Sequence, residues 1–358
     1  MSTQRIVKLI PPRISPEHIK EKVVCIRAHR ERIFQVFEQR YNDKYIFHNY
    51  GHGGAGWTFL FGCVNESIKQ LEQRLAENPS LKSKSICIIG AGCYGLLTAI
   101  TLARKGYIVR IIAKDTDNIP SYKAAGFFFP RPRKMSTPQE ISVFQSRGIE
   151  SYSIYHQIAQ SIHPFIKEGV TLLPGYFGPS IDPGFSPYIA EGLMPVPEKV
   201  TIDFGTGKTY AAMEYKTIFI NSVIMMQELH SAVRELGITI TRAEIATFGD
   251  ISESIIFNCA GLGAKKLTGD ERIIPVQGHL ITLKDQPPME HMQYMINAQV
   301  TMTTQRGTPR DEIIYYAPKD SGILGITFIR GQDSLTANHH EFERLLQRCE
   351  DYFGTPHK

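Results

Sequence analysis

The sequence predicts an α/β fold: a parallel-stranded domain flanked by helices, joined to a second α+β domain built on a mixed or antiparallel sheet. Three observations carry this. The stretch Ser85–Asp115 reads as a short apolar run (Ile86–Ile89), a glycine turn, an amphipathic segment ending at Gly106, and a second apolar run (Tyr107–Ala113). That is strand, tight turn, helix with a glycine cap, strand. A second glycine cluster, Gly51–Gly56, opens another amphipathic segment. From Leu173 to Pro197 proline and glycine are dense, and the strand-like runs His279–Leu283, Ile313–Tyr316 and Gly322–Ile329 follow further on, as a separate domain would show.

In chain order, Arg5–Ile10 reads as a strand stopped by Pro11-Pro12, and Val23–Ile26 as another, ending at Arg27. An arginine at a strand end is either an ordinary surface charge or a buried anion clamp, and the residues alone leave both open. Behind the second glycine cluster, Trp57, Leu60, Phe61, Val64, Ile68, Leu71 and Leu75 recur at helical spacing. The polar stretch 77–84 reads as a linker. Residues 121–130 form a turn running into an aromatic segment, and Ser151–Lys167 reads as a helix through Ile154, Ile158, Ile162 and Phe165. Lys216–Ile220 is a strand; Asn221 or Ser222 caps a helix closed by Gly237. Strands follow at Ile238–Arg242 and Ile255–Cys259, and a charged helix, His339–Tyr352, ends the chain.

At 358 residues, 42% hydrophobic and 21% charged, the chain has ample material for a sizeable core. A net charge of +5 is mild, and its densest basic cluster, Arg131, Arg133 and Lys134, reads as a solvated loop rather than a nucleic-acid contact. The six cysteines are scattered, with no paired spacing for a metal or a disulfide framework. No apolar run approaches membrane-spanning length and no secretory pattern begins the sequence, so a cytoplasmic protein without membrane contact is expected.

The glycine turn Gly90-Ala91-Gly92-Cys93-Tyr94-Gly95 has the spacing that dinucleotide binding demands. The first glycine makes the turn, the second admits a pyrophosphate to the backbone, and the third lets helix and strand pack closely. The phosphates then meet free N–H groups at a helix N-terminus. A glycine turn without a ligand is the alternative, which two flanking strands and a capped helix make weaker. The acid expected on a ribose is offered by Lys114-Asp115, one place late. At Cys259–Ala264, including Gly261, small residues again stand where backbone must approach something closely.

Four segments together resemble the D-amino-acid oxidase family of flavoproteins. They are IIGAGCYGLLTA around Gly90, KAAGFFFP at 123–130, FNCAGLGAKKL at 257–267 followed by PVQGH at 275–279, and FHNYGHGGAGWT at 47–58. The last is the most specific. In the family that string lies after the dinucleotide turn, whereas here it precedes it, so the resemblance implies a circularly permuted order. It implies an FAD-binding, Rossmann-like domain of the glutathione-reductase type over 27–130 and 221–276. A substrate domain would take 1–26, 131–220 and 277–358.

The same resemblance assigns residues. Gly90, Ala91, Gly92 and Gly95 would hold the FAD diphosphate, with Lys114 and Asp115 near the ribose. Ala125, Gly126 and Phe127 would line the flavin, Gly261 would approach the cofactor, and Gly53, Gly54, Gly56, Trp57 and Thr58 would hold its pyrimidine carbonyl at a helix N-terminus. Arg27 matches the arginine that pairs the substrate carboxylate, and Tyr315 its tyrosine partner. Two departures stand out: Arg27 lies in Cys25-Ile26-Arg27-Ala28 rather than a Gly-x-Arg-Pro context, and Asp311 replaces a lid tyrosine. The segment between Gly278 and Tyr315 also reads as longer than usual in the family. The implied activity is oxidative deamination of a D-amino acid by hydride transfer to FAD, with oxygen as acceptor and peroxide as product. Glycine, a secondary amine or an acidic D-amino acid are alternative substrates. A flavin-binding protein without turnover is the alternative of another class, and an NAD-dependent dehydrogenase would have no use for the 47–58 string.

Overall fold

The structure, a computed structural model, describes residues 5–81, 85–303 and 308–354. Four strands open it: β1 (Arg5–Lys8), β2 (Ile19–Arg30), β3 (Gln35–Tyr41) and β4 (Lys44–Tyr50). Then come α1 (Leu60–Glu77), β5 (Ile86–Ile89), α2 (Cys93–Arg104), β6 (Val109–Ala113), α3 (Pro120–Lys123) and α4 (Pro138–Ala159). The middle holds β7 (Val170–Phe177), α5 (Ser186–Ala190), β8 (Glu198–Asp203), β9 (Thr209–Ile220), α6 (Ser222–Glu235), β10 (Thr239–Arg242), β11 (Ile255–Asn258) and α7 (Ala264–Thr268). The last third holds β12 (Ile273–Leu283), β13 (Met295–Thr303), β14 (Pro309–Ala317), β15 (Ile323–Gly325), β16 (Ile329–Arg330) and α8 (His339–Phe353).

Two sheets result. The smaller runs β10-β6-β5-β11-β4-β3, parallel except for β3, which is antiparallel to β4. Its central strands are covered on both faces, which is why ICII is a continuous apolar run, IIFN is one up to its final Asn258, and every residue of both is buried. Phe47 stands beside Phe257, with ring centroids 4.9 Å apart, and Asn258 lies level with both His48 and Ile89. That register brings the turns after β4, β5 and β11 out at one edge of the sheet, where the strands end. In parallel sheets this is where ligands bind.

The larger sheet runs β1-β8-β9-β7-β13-β14-β15-β12-β16, with β2 also on β12. It is mixed: β1/β8 and β7/β13 are parallel and the other pairs antiparallel. β2 lies along β12 from Arg30↔Ile273 to Glu21↔Thr282, so the boundaries 26/27 and 276/277 fall inside two strands that pair with each other.

The helical stripe read behind the second glycine cluster is buried throughout, from Trp57 to Leu75, although regular helix starts only at Leu60. Residues 56–59 form a turn instead. The helix expected at Ser151–Lys167 is displaced. It begins at Pro138, where Thr137 and Glu140 form a reciprocal capping box, and ends at Ala159, before Ser161 takes a left-handed conformation. β3 escaped the sequence reading because Val36 and Phe37 stand next to each other and Glu38, Gln39 and Arg40 follow, so no apolar alternation marks it. The stretch 77–84 is only partly a linker: Glu77 closes α1, Pro79–Leu81 form a single turn of 3₁₀ helix, and residues 82–84 lie outside the described residues.

His48 is fully buried between Gln39 and Asn258, which bond its Nε2 (2.9 Å) and Nδ1 (3.1 Å). Burial holds it neutral, with its pKa lowered to about 4 from 6.5. The unfolded chain therefore binds a proton that the native state refuses, and stability falls as pH drops through this window. Between pH 7 and pH 5 His48 alone is expected to remove about 2 kcal/mol of unfolding free energy. Urea titrations at the two pH values check this, with His48→Gln showing a smaller pH slope than the native chain.

Candidate functional site

The turn after β5 folds as its glycines require. Gly90 has φ +103, and a Cβ there would stand 2.5 Å from the Cys259 carbonyl oxygen; one on Gly95 would collide with the Gly90 carbonyl. Gly92 is the N-cap of α2, and the Cys93 N–H donates to Ser121 Oγ at 3.1 Å. The α2 N-terminus, the backbone at Ala91–Gly92 and the Ser121 hydroxyl thus share one small space at the sheet edge, a donor set that suits a diphosphate.

The second glycine turn meets the first. Tyr94 of the first donates its hydroxyl to the Gly56 carbonyl at 2.8 Å, and its ring stacks on His52 at 3.9 Å. Trp57 Nε1 donates to the Ser121 carbonyl at 3.0 Å, and the Phe129 N–H donates to Thr58 Oγ1 at 3.2 Å. Among the described residues the backbone N–H groups of Trp57 and Thr58 have no acceptor. They are the free donors that a carbonyl oxygen of a bound ring system would need. His52 is buried, its Nε2 has no partner among the described residues, and burial keeps the ring neutral.

Ala125, Gly126 and Phe127 lie alongside the end of β9. Gly126 has φ +94 and accepts from the Ile220 N–H at 2.7 Å, while Phe127 bridges Phe219. A Cβ at Gly126 would strike the Ile220 carbonyl, so only glycine fits. The Phe127 ring stacks on Tyr315 with centroids 4.2 Å apart. Gly261, after β11, has φ +56 and faces open space. Lys114 and Asp115, just past β6, are exposed and reach Glu244 (3.1 Å) and Arg242 (3.7 Å). They stand at the same sheet edge.

Arg27 is buried, which resolves its two open readings in favour of the inward one. One guanidinium N–H donates to the Thr327 carbonyl at 3.0 Å, and the group stands 5.0 Å from the Phe328 ring. Among the described residues no carboxylate pairs with it. Burial lowers its pKa, which the neighbouring Cys25 and Tyr315 partly offset. Tyr315 is buried as well, its hydroxyl pKa pushed up by burial and drawn down by the Phe127 backbone and the Arg27 charge. Gly54 lies against Arg27, its would-be Cβ 3.7 Å from Arg27 Cδ. Arg27, Tyr315, Phe127 and the second glycine turn therefore form one cluster.

Four neighbours of this cluster were not read as site residues from the sequence. Gly278, across the β2–β12 pair, leaves the room that the Arg27 guanidinium fills, and any side chain there would overlap it. Ser121 ties both glycine turns together. Lys319 is buried and donates to the carbonyls of Tyr122 (2.6 Å) and Ala124 (2.9 Å) and to Ser222 Oγ (2.7 Å), with burial lowering its pKa to about 8. Arg133 belongs to the cluster read as a solvated loop, but it turns inward. It donates to the carbonyls of His52 (2.5 Å), which also accepts from the Ala55 N–H, and Arg30 (3.1 Å). Asp311 points away from any lid: it accepts from Thr301 (2.8 Å) and Gln299 (3.2 Å) on β13. The long segment between Gly278 and Tyr315 holds the end of β12, a connection with one 3₁₀ turn at Met289–His291, and the antiparallel pair β13 and β14.

The family model described as FAD dependent oxidoreductase, DAO, matches residues 85–357. A D-amino-acid oxidase of Dictyostelium discoideum is 26% identical over 238 residues, covering 63% of this chain and 66% of the relative. One of Streptomyces coelicolor is 21% identical over 201 residues, covering 56% and 59%. The chain thus spans less than two thirds of these relatives. Among solved structures, glycine oxidase from Geobacillus kaustophilus and iminodiacetate oxidase from Chelativorans sp. BNC1 each share the fold at TM-score 0.53 and 15% identity, over 75% of this chain and 78% of theirs. With the match extending over most of its length, the chain belongs to the D-amino-acid oxidase (DAO) family of FAD-dependent oxidoreductases.

Proposed function

We propose that the protein oxidises the α-carbon of a small amino acid bound through its carboxylate, a D-amino acid by the analogy of its named relatives. The observation that carries this is Arg27. Burying a guanidinium without a counter-charge costs several kcal/mol. A substrate carboxylate would offset that cost through a bidentate pair. The Tyr315 hydroxyl is the third donor for the same carboxylate.

FAD, when bound, accepts a hydride; the chain's part is orientation and field. Gly90, Ala91, Gly92 and Gly95 would hold its diphosphate, Lys114 and Asp115 its ribose, and Gly261 would lie against it. Ala125–Phe127 would lie along its ring, and Gly53, Gly54, Gly56, Trp57 and Thr58 at its pyrimidine edge. Arg27 and Tyr315 fix the carboxylate, which leaves the α C–H one direction in which to point. Such positioning can be worth up to about 7–11 kcal/mol. The free N–H groups of Trp57 and Thr58 stabilise negative charge that develops beside them. No residue need remove the α-proton as a base. The substrate nitrogen loses a proton as the C–H pair leaves, and water hydrolyses the imino acid to a keto acid and ammonia. Oxygen is the proposed final acceptor.

A second reading, glycine or a secondary amine as substrate, draws on the fold shared with glycine oxidase and iminodiacetate oxidase. The chain order is proposed to be a circular permutation. The family match starts at Ser85, immediately before β5, while β4 and the turn that opens α1 precede it in sequence and lie beside β11 and α2 in space.

Anaerobic mixing of the holoprotein with D-alanine, D-aspartate, glycine and sarcosine, followed by flavin absorbance, tests the reading. At least one is expected to bleach the flavin; no bleaching by any of them contradicts turnover. Arg27→Met is expected to keep its yellow colour and lose about 2–5 kcal/mol of transition-state binding, roughly 30- to 5,000-fold in kcat/KM. Lys319→Met leaves the carbonyls of Tyr122 and Ala124, beside the 125–127 segment, to share the single hydroxyl proton of Ser222. FAD affinity should fall roughly 5- to 150-fold, read by fluorescence titration of the apoprotein.

A further inference from the structure

Behind the second glycine turn lies a cleft of about 270 Å³, between α4 and the start of β3. Glu140, Val143 and Arg147, at i, i+3 and i+7 of α4, present one face to it. Ile33, Phe34, Gln35 and Val36 form the opposite wall, and Thr137 and Gln139 line the cleft as well.

Arg147 is only 8% exposed, and its Nε is buried with no hydrogen-bond partner among the described residues. The nearby carboxylates are engaged elsewhere. Glu140 bonds Arg32 at 2.5 Å and caps α4 through the N–H groups of Ser136 (2.7 Å) and Thr137 (3.2 Å). Glu150, one turn on, accepts from Asn65 at 2.6 Å. An arginine almost wholly buried, its Nε–H without an acceptor and no carboxylate on it among the described residues, is costly unless something supplies the counter-charge.

We propose that this cleft binds a compact monocarboxylate, its charged end on Arg147 and its apolar body against Ile33, Phe34, Val36 and Val143. Arg147 is the cation in the cleft's lining, while Arg133 lies 5.7 Å from the Phe34 ring with its N–H groups on carbonyls. The Glu140 carboxylate in the same lining disfavours a dianion such as sulfate. The apolar walls select an anion that carries carbon. The site is separate from Arg27. The His52 ring lies 4.7 Å from Phe34, so the glycine turn stands between the two arginines.

The test uses FAD-loaded protein carrying Arg27→Met, so that a carboxylate cannot act at the first site. Benzoate, butyrate and sulfate are titrated by calorimetry and by thermal shift. Saturable binding of benzoate or butyrate is expected, weakened by more than about tenfold on adding Arg147→Met. Val143→Trp, which fills the cleft and keeps Arg147, should remove binding as well; it carries the test if Arg147→Met does not fold. Failure of both carboxylates to bind, binding unchanged by Arg147→Met or Val143→Trp, or equal binding of sulfate would overturn the proposal.

Discussion

The hydroxyl of Tyr94 on the carbonyl of Gly56 is the contact from which the rest of this structure follows. Tyr94 belongs to the first turn of α2 and Gly56 to the turn that precedes α1, 38 residues earlier in the chain. The Tyr94 side chain is buried, where an unmet hydroxyl is expensive, so the turns hold one relative position. His52 stacked on the same ring and Trp57 bonded to the Ser121 carbonyl fix it from two further directions. The parallel register of β5, β11 and β4 makes this contact possible, because it delivers both turns to one edge of the sheet.

The second sheet supplies what the first lacks. β2 crosses between them, paired along β12, and carries Arg27 to the rim of the second glycine turn. Gly278 opposite removes the side chain that would otherwise fill the guanidinium's space. The result is a desolvated cation against the second glycine turn, with Tyr315 and Phe127 stacked on each other nearby. A stability argument alone would pair that arginine with an acid. Its lack of one among the described residues is what makes the site read as functional rather than structural.

How much of this was legible in the sequence depended on how local each feature was. The glycine spacing after β5 and the stripe from Trp57 to Leu75 are determined within a few residues, so both were visible. The inward turn of Arg133, the three bonds of Lys319 and the space at Gly278 depend on partners tens to hundreds of residues away. No local pattern reports those. The start of α4 was missed for a different reason: its capping box was present at Thr137–Glu140, but the first turns of the helix carry few apolar residues to set a period. The burial of Arg27 was undecidable from sequence alone, since a strand end serves a surface charge as readily as a buried clamp.

Trp57 is the chain's single tryptophan and sits inside the second glycine turn. Its fluorescence therefore reports directly on whether that turn and the turn at Gly90–Gly95 close on one flavin. Adding FAD to the apoprotein should quench the Trp57 emission strongly and saturably, reaching its end point at one FAD per chain. FAD that binds while leaving the emission unchanged would contradict the account.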